Sequence, residues 1–269
     1  MSDPVERKLF DATWKGLASE VSSLWSDHPE INVNWTNEDG WTTLHIASLN
    51  SQAEVVKVLL AHPDINVNVK TCEGDTPFSL GCENDCVSVF KVLLKDPRVD
   101  VTLEDNNGRT PLWHASYNGK NKVIEWFIAS GRDLGDVKNK KGKWGGKDYT
   151  ALEIAREKNK TEVVSLLERF IANPTQSCHE VRVKLGVLDE LAAEVFALTV
   201  FLCDDLLQLK PALNSAAFRF FTIAKRMPME LQMILCHRAV GSIKQNIRST
   251  DSEVAFKSLA RILFYFLDH

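Results

Sequence analysis

The sequence predicts an all-α solenoid of repeated helix-turn-helix units, followed by a separate C-terminal helical domain. The first observation is a recurring hexapeptide, found at Gly40–His45, Gly74–Ser79 and Gly108–Trp113. The spacing between successive copies is constant, and a fourth copy begins at Thr150, one period plus a short insertion later. A fixed period of about 34 residues is typical of a solenoid built from one supersecondary unit.

The second observation is the apolar register that follows each motif threonine. An apolar pair stands at the same distance beyond each threonine, and another apolar residue follows about one helical turn later. These positions share one face of a helix with a helical period. Each unit is too small to bury this face alone, so neighbouring units must stack. The positions are Val55, Val56, Leu59, Val89, Phe90, Leu93, Val123, Ile124, Phe127, Val163, Val164 and Leu167.

The threonines also predict where each first helix begins. A threonine hydroxyl caps a helix N-terminus, and Pro77 and Pro111 suit the first helical position, which needs no backbone donor. The connecting segments His28–Asn34 and His62–Asn68 are nearly identical and are separated by the same period. The segment Trp14–Trp25 before them reads as a degenerate unit that caps the array.

These residues resemble the ankyrin repeat, whose pattern is a turn, Gly-x-Thr-Pro-Leu-His, a helix, a short turn and a helix ending in paired leucines. The resemblance covers about residues 5–171. It implies a degenerate N-terminal cap and four repeats, at residues 1–36, 37–70, 71–104, 105–138 and 139–171, with residues 173–269 forming the C-terminal domain.

The motif histidine and the interhelical glycine both depart from the family pattern. Only His45 keeps the histidine, which normally forms hydrogen bonds between successive repeats, so we expect a weakened lattice. Ser79, Trp113 and Glu153 occupy the equivalent positions. The interhelical glycine is kept only at Gly119; Ser51, Asp85 and Asn159 replace it in the other three repeats. Asparagine tolerates a left-handed backbone there better than serine does.

Ankyrin-family proteins generally bind other proteins through the hairpin tips and inner helices, which line the concave face. The resemblance therefore implies a protein-interaction scaffold or adaptor with no enzymatic activity. Trp41 is notable because aromatic side chains are enriched at binding hot spots; the alternative is packing against Trp35. The predicted contact residues are Glu38, Asp39, Trp41, Leu49, Asn50, Asp75, Glu83, Asn84, Arg109, Tyr117 and Asn118.

The fourth hairpin carries the insertion and is unusually basic. The segment Lys138–Lys147 contains five lysines, one tryptophan and three glycines. The glycines predict a mobile, extended finger. We expect Lys143 and Trp144 to dock on an acidic partner surface; the alternative is a solvated loop whose lysines only aid solubility.

The C-terminal region loses the regular period of the repeats. The segment Met227–Leu235 resembles the opening of an F-box, and Leu235–Val240 resembles part of a SOCS box. Either resemblance implies an alternative function as a substrate receptor of a cullin-type ubiquitin ligase; the competing interpretation is a helical cap or dimerisation domain. The residues implied in adaptor binding are Pro228, Glu230, Leu231, Ile234 and Leu235. Four helical segments are predicted, at 189–209, 214–226, 228–240 and from 250 onward.

Composition argues against several other classes of function. A net charge of −4 gives no basic excess for nucleic acid. The apolar run Val195–Cys203 is about half of the ~20 residues that a membrane-spanning helix needs. Six cysteines without a CxxC pair favour reduced thiols in the cytoplasm or nucleus.

Enzyme and metal signatures are also missing from the sequence. It has no P-loop, nucleophile elbow, dinucleotide glycine motif or HExxH, so we expect no small-molecule substrate, no cofactor and no metal site. Cys72, Cys82 and Cys86 cluster in the second repeat, with Cys82 and Cys86 predicted on one helical face. Without an evident fourth ligand, they are interpreted as buried structural cysteines.

Overall fold

A computed structural model of the protein describes residues 4–84, 86–203, 220, 223–224, 227–240, 247, 251 and 255. The chain forms two compact units, Met1–Val181 and Arg182–His269. The repeat boundaries given above, and the domain boundary at residue 173, stay predictions.

The first unit is a succession of helix pairs. First helices of neighbouring pairs pack on one another from α1 to α9, and second helices do the same from α2 to α10. This nearest-neighbour stacking confirms the all-α solenoid. The helices are α1 Pro4–Trp14, α2 Ala18–Asp27, α3 Thr43–Leu49, α4 Ala53–Leu60, α5 Pro77–Glu83, α6 Val87–Lys95, α7 Pro111–Asn118, α8 Asn121–Ser130, α9 Ala151–Glu157 and α10 Thr161–Ala172.

The motif threonine caps the first helix of every repeat, as predicted. Thr42, Thr76, Thr110 and Thr150 have extended backbone, and each hydroxyl accepts a bond from the backbone N–H three positions later. A threonine cap stabilises a helix by about 1 kcal/mol. In three repeats the side chain at the histidine position accepts a hydrogen bond from the backbone N–H of the capping threonine; these side chains are His45, Ser79 and Glu153.

The core follows the predicted apolar register. All of its positions are buried except Val164, which is half-buried. At its centre Phe90 stacks on Phe78 with ring centroids 5.1 Å apart, and Phe127 of the next repeat lies 4.9 Å from Phe90. Neighbouring repeats therefore share one aromatic core, as expected of a solenoid.

The basic finger is an ordered β-hairpin, so the prediction of a mobile loop was wrong. Strands β1 Lys141–Trp144 and β2 Lys147–Thr150 pair antiparallel, with Trp144 opposite Lys147. Gly145 and Gly146 have φ of 57° and 79°, the left-handed pair that a tight two-residue hairpin turn requires. These glycines therefore fix a turn instead of loosening a loop.

The interhelical turns adopt the left-handed backbone expected of a glycine position. Gly119 has φ 71°, Asn159 has φ 55° and Ser51 has φ 60°. Asp85 lies outside the described residues. Ser51 holds this conformation with a Cβ, which costs roughly 1–2 kcal/mol.

The second unit contains α12 Leu188–Cys203 packed on α13 Met229–Ala239. Thr199 and Cys236 meet at this contact, with Oγ1 and Sγ 3.8 Å apart. The predicted helix at 228–240 is confirmed, with Pro228 at its N-cap. The predicted segments at 214–226 and from 250 lie largely outside the described residues, and α11 Pro174–Leu185 spans the boundary of the two units. No helix in the part of the chain described is long and apolar enough to cross a membrane.

Candidate functional site

Aromatic rings and one lysine link the third repeat to the hairpin. Trp113 stacks on Tyr117 at 5.4 Å and 12°, Tyr117 lies 5.9 Å from Trp144, and Trp144 lies 6.2 Å from Tyr149. The Lys158 ammonium lies 3.7 Å from the Trp144 ring centre and 4.6 Å from that of Tyr117. A cation over a ring contributes about 0.5–2 kcal/mol. We call these five residues the aromatic–lysine cluster; it holds the Trp144 ring in one place.

Trp113 takes over the role of the missing histidine. In the first repeat, the Thr42 N–H donates to His45 Nδ1, and the His45 ring bonds through Nε2 to the Asp75 carbonyl at 3.1 Å. In the third, Trp113 Nε1 donates to the Tyr149 carbonyl at 3.0 Å. Both carbonyls directly precede the capping threonine of the next repeat. The expectation of a weakened lattice is therefore wrong at Trp113, because indole offers the same kind of N–H donor.

The second repeat does lose this bond. Ser79 Oγ bonds to Thr76 and, at 3.4 Å, to Asp75 Oδ1, all within its own repeat. Serine is too short to reach the next repeat. Burial also lowers the pKa of His45 to about 4, so the imidazole of the first repeat is neutral at neutral pH.

The preceding hairpin tip anchors the basic hairpin. Arg109 Nε donates to the Lys143 carbonyl at 2.8 Å, and the Lys143 N–H donates to the Asn107 carbonyl at 2.9 Å. Gly142 lies so close to Arg109 that a Cβ there would come within 2.9 Å of its Cα. Arg109, predicted as a contact residue, therefore also positions the hairpin, while the Lys143 side chain stays exposed.

None of the predicted contact residues of the repeats is fully buried. The Trp41 ring lies 5.8 Å from His45, while Trp35 packs on Phe10. Trp41 therefore contacts the first helix of its own repeat, and Trp35 packs against a different residue. The roles of the predicted contact residues in partner binding stay predictions. Glu38, Asp39, Asn50, Asn84 and Lys143 are exposed, and Trp41, Leu49, Asp75, Glu83, Arg109, Tyr117, Asn118 and Trp144 are half-buried.

The structure also contains a cluster of one histidine and two aspartates that the sequence analysis did not predict. His114 Nε2 lies 3.3 Å from Asp105 Oδ2 and 3.8 Å from Asp75 Oδ1, with side-chain exposures of 6%, 5% and 15% respectively. Burial raises the pKa of the Asp75 carboxyl. Burial also acts to raise the pKa of Asp105, but His114 and the N–H groups of Asn107 and Arg109 bring it below its ordinary value. The only sequence signal is that Asp75 and Asp105 stand about one repeat apart.

The cysteines of the second repeat do not share a helix face. Cys82 lies in α5, whereas Cys86 caps α6 and contacts the Ser51 hydroxyl. Cys82 and Cys86 are buried, as interpreted, but Cys72 is exposed. The sequence interpretation treated α5 and the following turn as one helix, which produced the error.

The adaptor residues implied by the F-box resemblance lie at the start of α13. Pro228 is exposed and Leu231 is 48% exposed. Ile234 and Leu235 are half-buried, and the Glu230 side chain lies outside the described set. Met229, at 60% exposure, extends this apolar surface and was not among the predicted residues. Their role in adaptor binding stays a prediction.

Comparison with known protein families agrees with this architecture. The family described as "Ankyrin repeats (3 copies)" matches residues 9–105, and the family described as "Ankyrin repeat" matches residues 107–140. Comparison with curated proteins gives no match. Ankyrin repeats indicate a protein-interaction module. Residues 9–140 of the chain are therefore ankyrin repeats.

Proposed function

We propose that the protein is an interaction scaffold that binds an acidic segment of a partner protein through its concave face and hairpin tips. The observation that carries this proposal is the fixed position of Trp144. Its ring lies 3.7 Å from the Lys158 ammonium and 5.9 Å from the Tyr117 ring, and the side chain is half-buried. A rigid aromatic side chain loses little conformational entropy on binding and is typical of a hot spot.

The charge around this ring favours an acidic partner. Residues 138–150 carry five lysines and one aspartate, and all of the lysines on the two strands are exposed. Lys140 is paired with Glu104 at 2.6 Å, whereas Lys143 and Lys147 flank Trp144 on the two strands. Opposite charge steers association and disfavours wrong partners. The chain as a whole is acidic, so this is a local feature and not a general affinity for polyanions.

Affinity capture with matched variants tests the proposal. Full-length wild type, Trp144→Ala and Lys143→Glu are used as baits, and captured proteins are quantified by mass spectrometry. Lys57→Glu is the control, because Lys57 is exposed on α4, a second helix of the array, and lies outside the proposed surface. We expect at least one partner to be lost from the Trp144 and Lys143 variants and kept by the control. Equal capture by all four baits would refute the proposed surface.

The ligase-receptor alternative is supported by a different observation. Met229 and Leu231 expose apolar side chains at the first turn of α13, where the F-box resemblance implies adaptor contacts. Exposed apolar side chains close together often mark an interaction site. The same surface would also suit a dimerising cap, so the partner must be identified directly.

The full chain and its Leu231→Glu variant separate these alternatives. An adaptor of the kind that binds F-boxes, or an elongin-like adaptor, bound by wild type and lost in the variant would support the ligase receptor. Self-association that is lost in the variant would support the dimerising cap. Binding of neither adaptor, with a monomeric wild type, would leave the scaffold function of the repeats alone.

A further inference from the structure

Three donor atoms from two repeats converge on one point of the solenoid. Asp75 precedes the capping threonine of the second repeat, Asp105 lies in the hairpin tip of the third, and His114 lies on α7. One nitrogen and two carboxylate oxygens all lie within 4.8 Å of one another. We propose that Asp75, Asp105 and His114 bind a divalent transition-metal ion of the zinc class.

The His114 nitrogen is the strongest reason for this proposal. The side chain is more than nine-tenths buried, and its Nε2 makes no well-aligned hydrogen bond, although Asp105 Oδ2 lies 3.3 Å away. A simple imidazolium–carboxylate pair would aim its N–H at that oxygen. A buried nitrogen without a hydrogen bond is destabilising. A shared ligand between the donors would satisfy it.

The spacing of the donors fits a small four-coordinate ion. With bonds of about 2.1 Å, neighbouring ligand atoms of a tetrahedral zinc site lie about 3.4 Å apart. The observed separations from His114 Nε2 are 3.3 Å and 3.8 Å. One imidazole and two carboxylates suit zinc, whereas calcium and magnesium prefer oxygen donors alone. Three protein ligands leave the fourth position for water.

Supporting bonds already orient Asp105. Its Oδ1 accepts the N–H groups of Asn107 and Arg109 at 2.8 Å and 2.9 Å, which turns Oδ2 towards His114. Groups that orient ligands in this way are characteristic of metal sites. The Arg109 guanidinium lies 3.9 Å from Oδ2 and offsets one carboxylate, but Asp75 has no comparable arginine or lysine among the described ion pairs.

The position of the cluster gives the ion a structural role. It joins the second and third repeats, where Ser79 is too short to supply the bond that His45 and Trp113 make elsewhere. A metal ion would connect the two repeats at this point. It would also fix the hairpin tip of the third repeat, which carries Arg109.

Titration of the full chain with Co²⁺ tests the site. Co²⁺ replaces zinc and gives a visible absorption spectrum that reports its ligands. The variants Asp75→Asn and His114→Gln remove one donor each. His28→Gln, a half-buried histidine elsewhere, and Cys72→Ser, an exposed thiol, are the controls.

We expect one Co²⁺ per chain, displaced by Zn²⁺, with affinity reduced more than about 100-fold in Asp75→Asn and His114→Gln and unchanged in both controls. Circular dichroism in chelator checks that the variants fold; if His114→Gln does not, Asp75→Asn alone decides. Absence of binding to wild type would overturn the proposal. So would equal binding by Asp75→Asn, or a thiolate spectrum that disappears in Cys72→Ser.

Discussion

Replacing Trp113 by phenylalanine should weaken the interface between the third and fourth repeats. The substitution keeps an aromatic ring against Tyr117 but removes the indole N–H that donates to the Tyr149 carbonyl at 3.0 Å. A carbonyl left without its partner costs about 1–3 kcal/mol. The indole is 2% exposed, so the smaller ring also leaves a gap. We expect a total loss of about 2–3 kcal/mol in the free energy of unfolding.

Urea denaturation measures the loss, and hydrogen exchange locates it. Stability in a repeat protein is approximately a sum of repeat and interface contributions. Exchange should therefore accelerate in residues 151–171 and change little in residues 43–60. Trp113→His should recover part of the loss, because His45 makes the equivalent bond.

Trp126→Phe is the matched control for the same chemical change. Trp126 is half-buried, its ring lies 3.9 Å from the Lys91 ammonium, and it makes no hydrogen bond through Nε1 in the described contacts. Its loss should be about 0.5 kcal/mol. If Trp113→Phe costs no more than Trp126→Phe, the claim that Trp113 replaces the lattice histidine is refuted.

Three further predictions concern other positions. The His45 pKa falls from 6.5 unfolded to about 4 folded, so the unfolded chain binds more protons between these values and stability is lost on acidification. In the presence of a chelator, the unfolding free energy of wild type should fall by about 3 kcal/mol more than that of His45→Gln as the pH is lowered through this range, as measured by urea denaturation. Parallel pH profiles of the unfolding free energy in the two proteins would contradict this prediction. Ser51→Gly should raise the unfolding free energy by about 1 kcal/mol because it relieves the left-handed backbone, and Ser51→Ala should not. Equal urea midpoints for the two variants would show that the Ser51 backbone is not strained. Gly142→Ala should lower the free energy of unfolding by about 1–3 kcal/mol, because its Cβ would come within 2.9 Å of the Arg109 Cα, whereas Gly81→Ala, whose Cβ meets only a Val89 side-chain atom at 3.9 Å, should not lower it; an unchanged unfolding free energy in Gly142→Ala would show that the hairpin is not docked there.

The repeat register could be predicted from sequence because it depends on local chemistry and period. Thr42 and its equivalents cap helices wherever they occur, and the positions around Val55 and Phe90 must face inward in any stack. The hairpin was mispredicted because Gly145 and Gly146 can indicate either mobility or a tight turn. The strand pairing of Lys141 with Thr150, which decides between them, is a tertiary fact.

The polar features depended on distances that no sequence pattern gives. Trp113 looked like the loss of a lattice histidine, since only the structure shows its Nε1 at the Tyr149 carbonyl. The approach of His114 to the two carboxylates is not visible in the sequence, because Asp75 lies in a different repeat and Asp105 in a different element of the same repeat. Stacking of repeats brings such residues together, and the repeat period predicts the neighbourhood without the contact.

Site-specific photo-crosslinking tests the central claim that the hairpin and the concave face bind a protein partner. A photoreactive residue is placed at Lys147 on the hairpin, at Asn50 at the end of the inner helix α3, or at Lys57 on the outer helix α4; all three positions are exposed. We predict that the same partner crosslinks from Lys147 and Asn50 and that Lys57 gives no such product. Crosslinking from Lys57 alone, or equally from all three positions, would contradict the proposed binding surface.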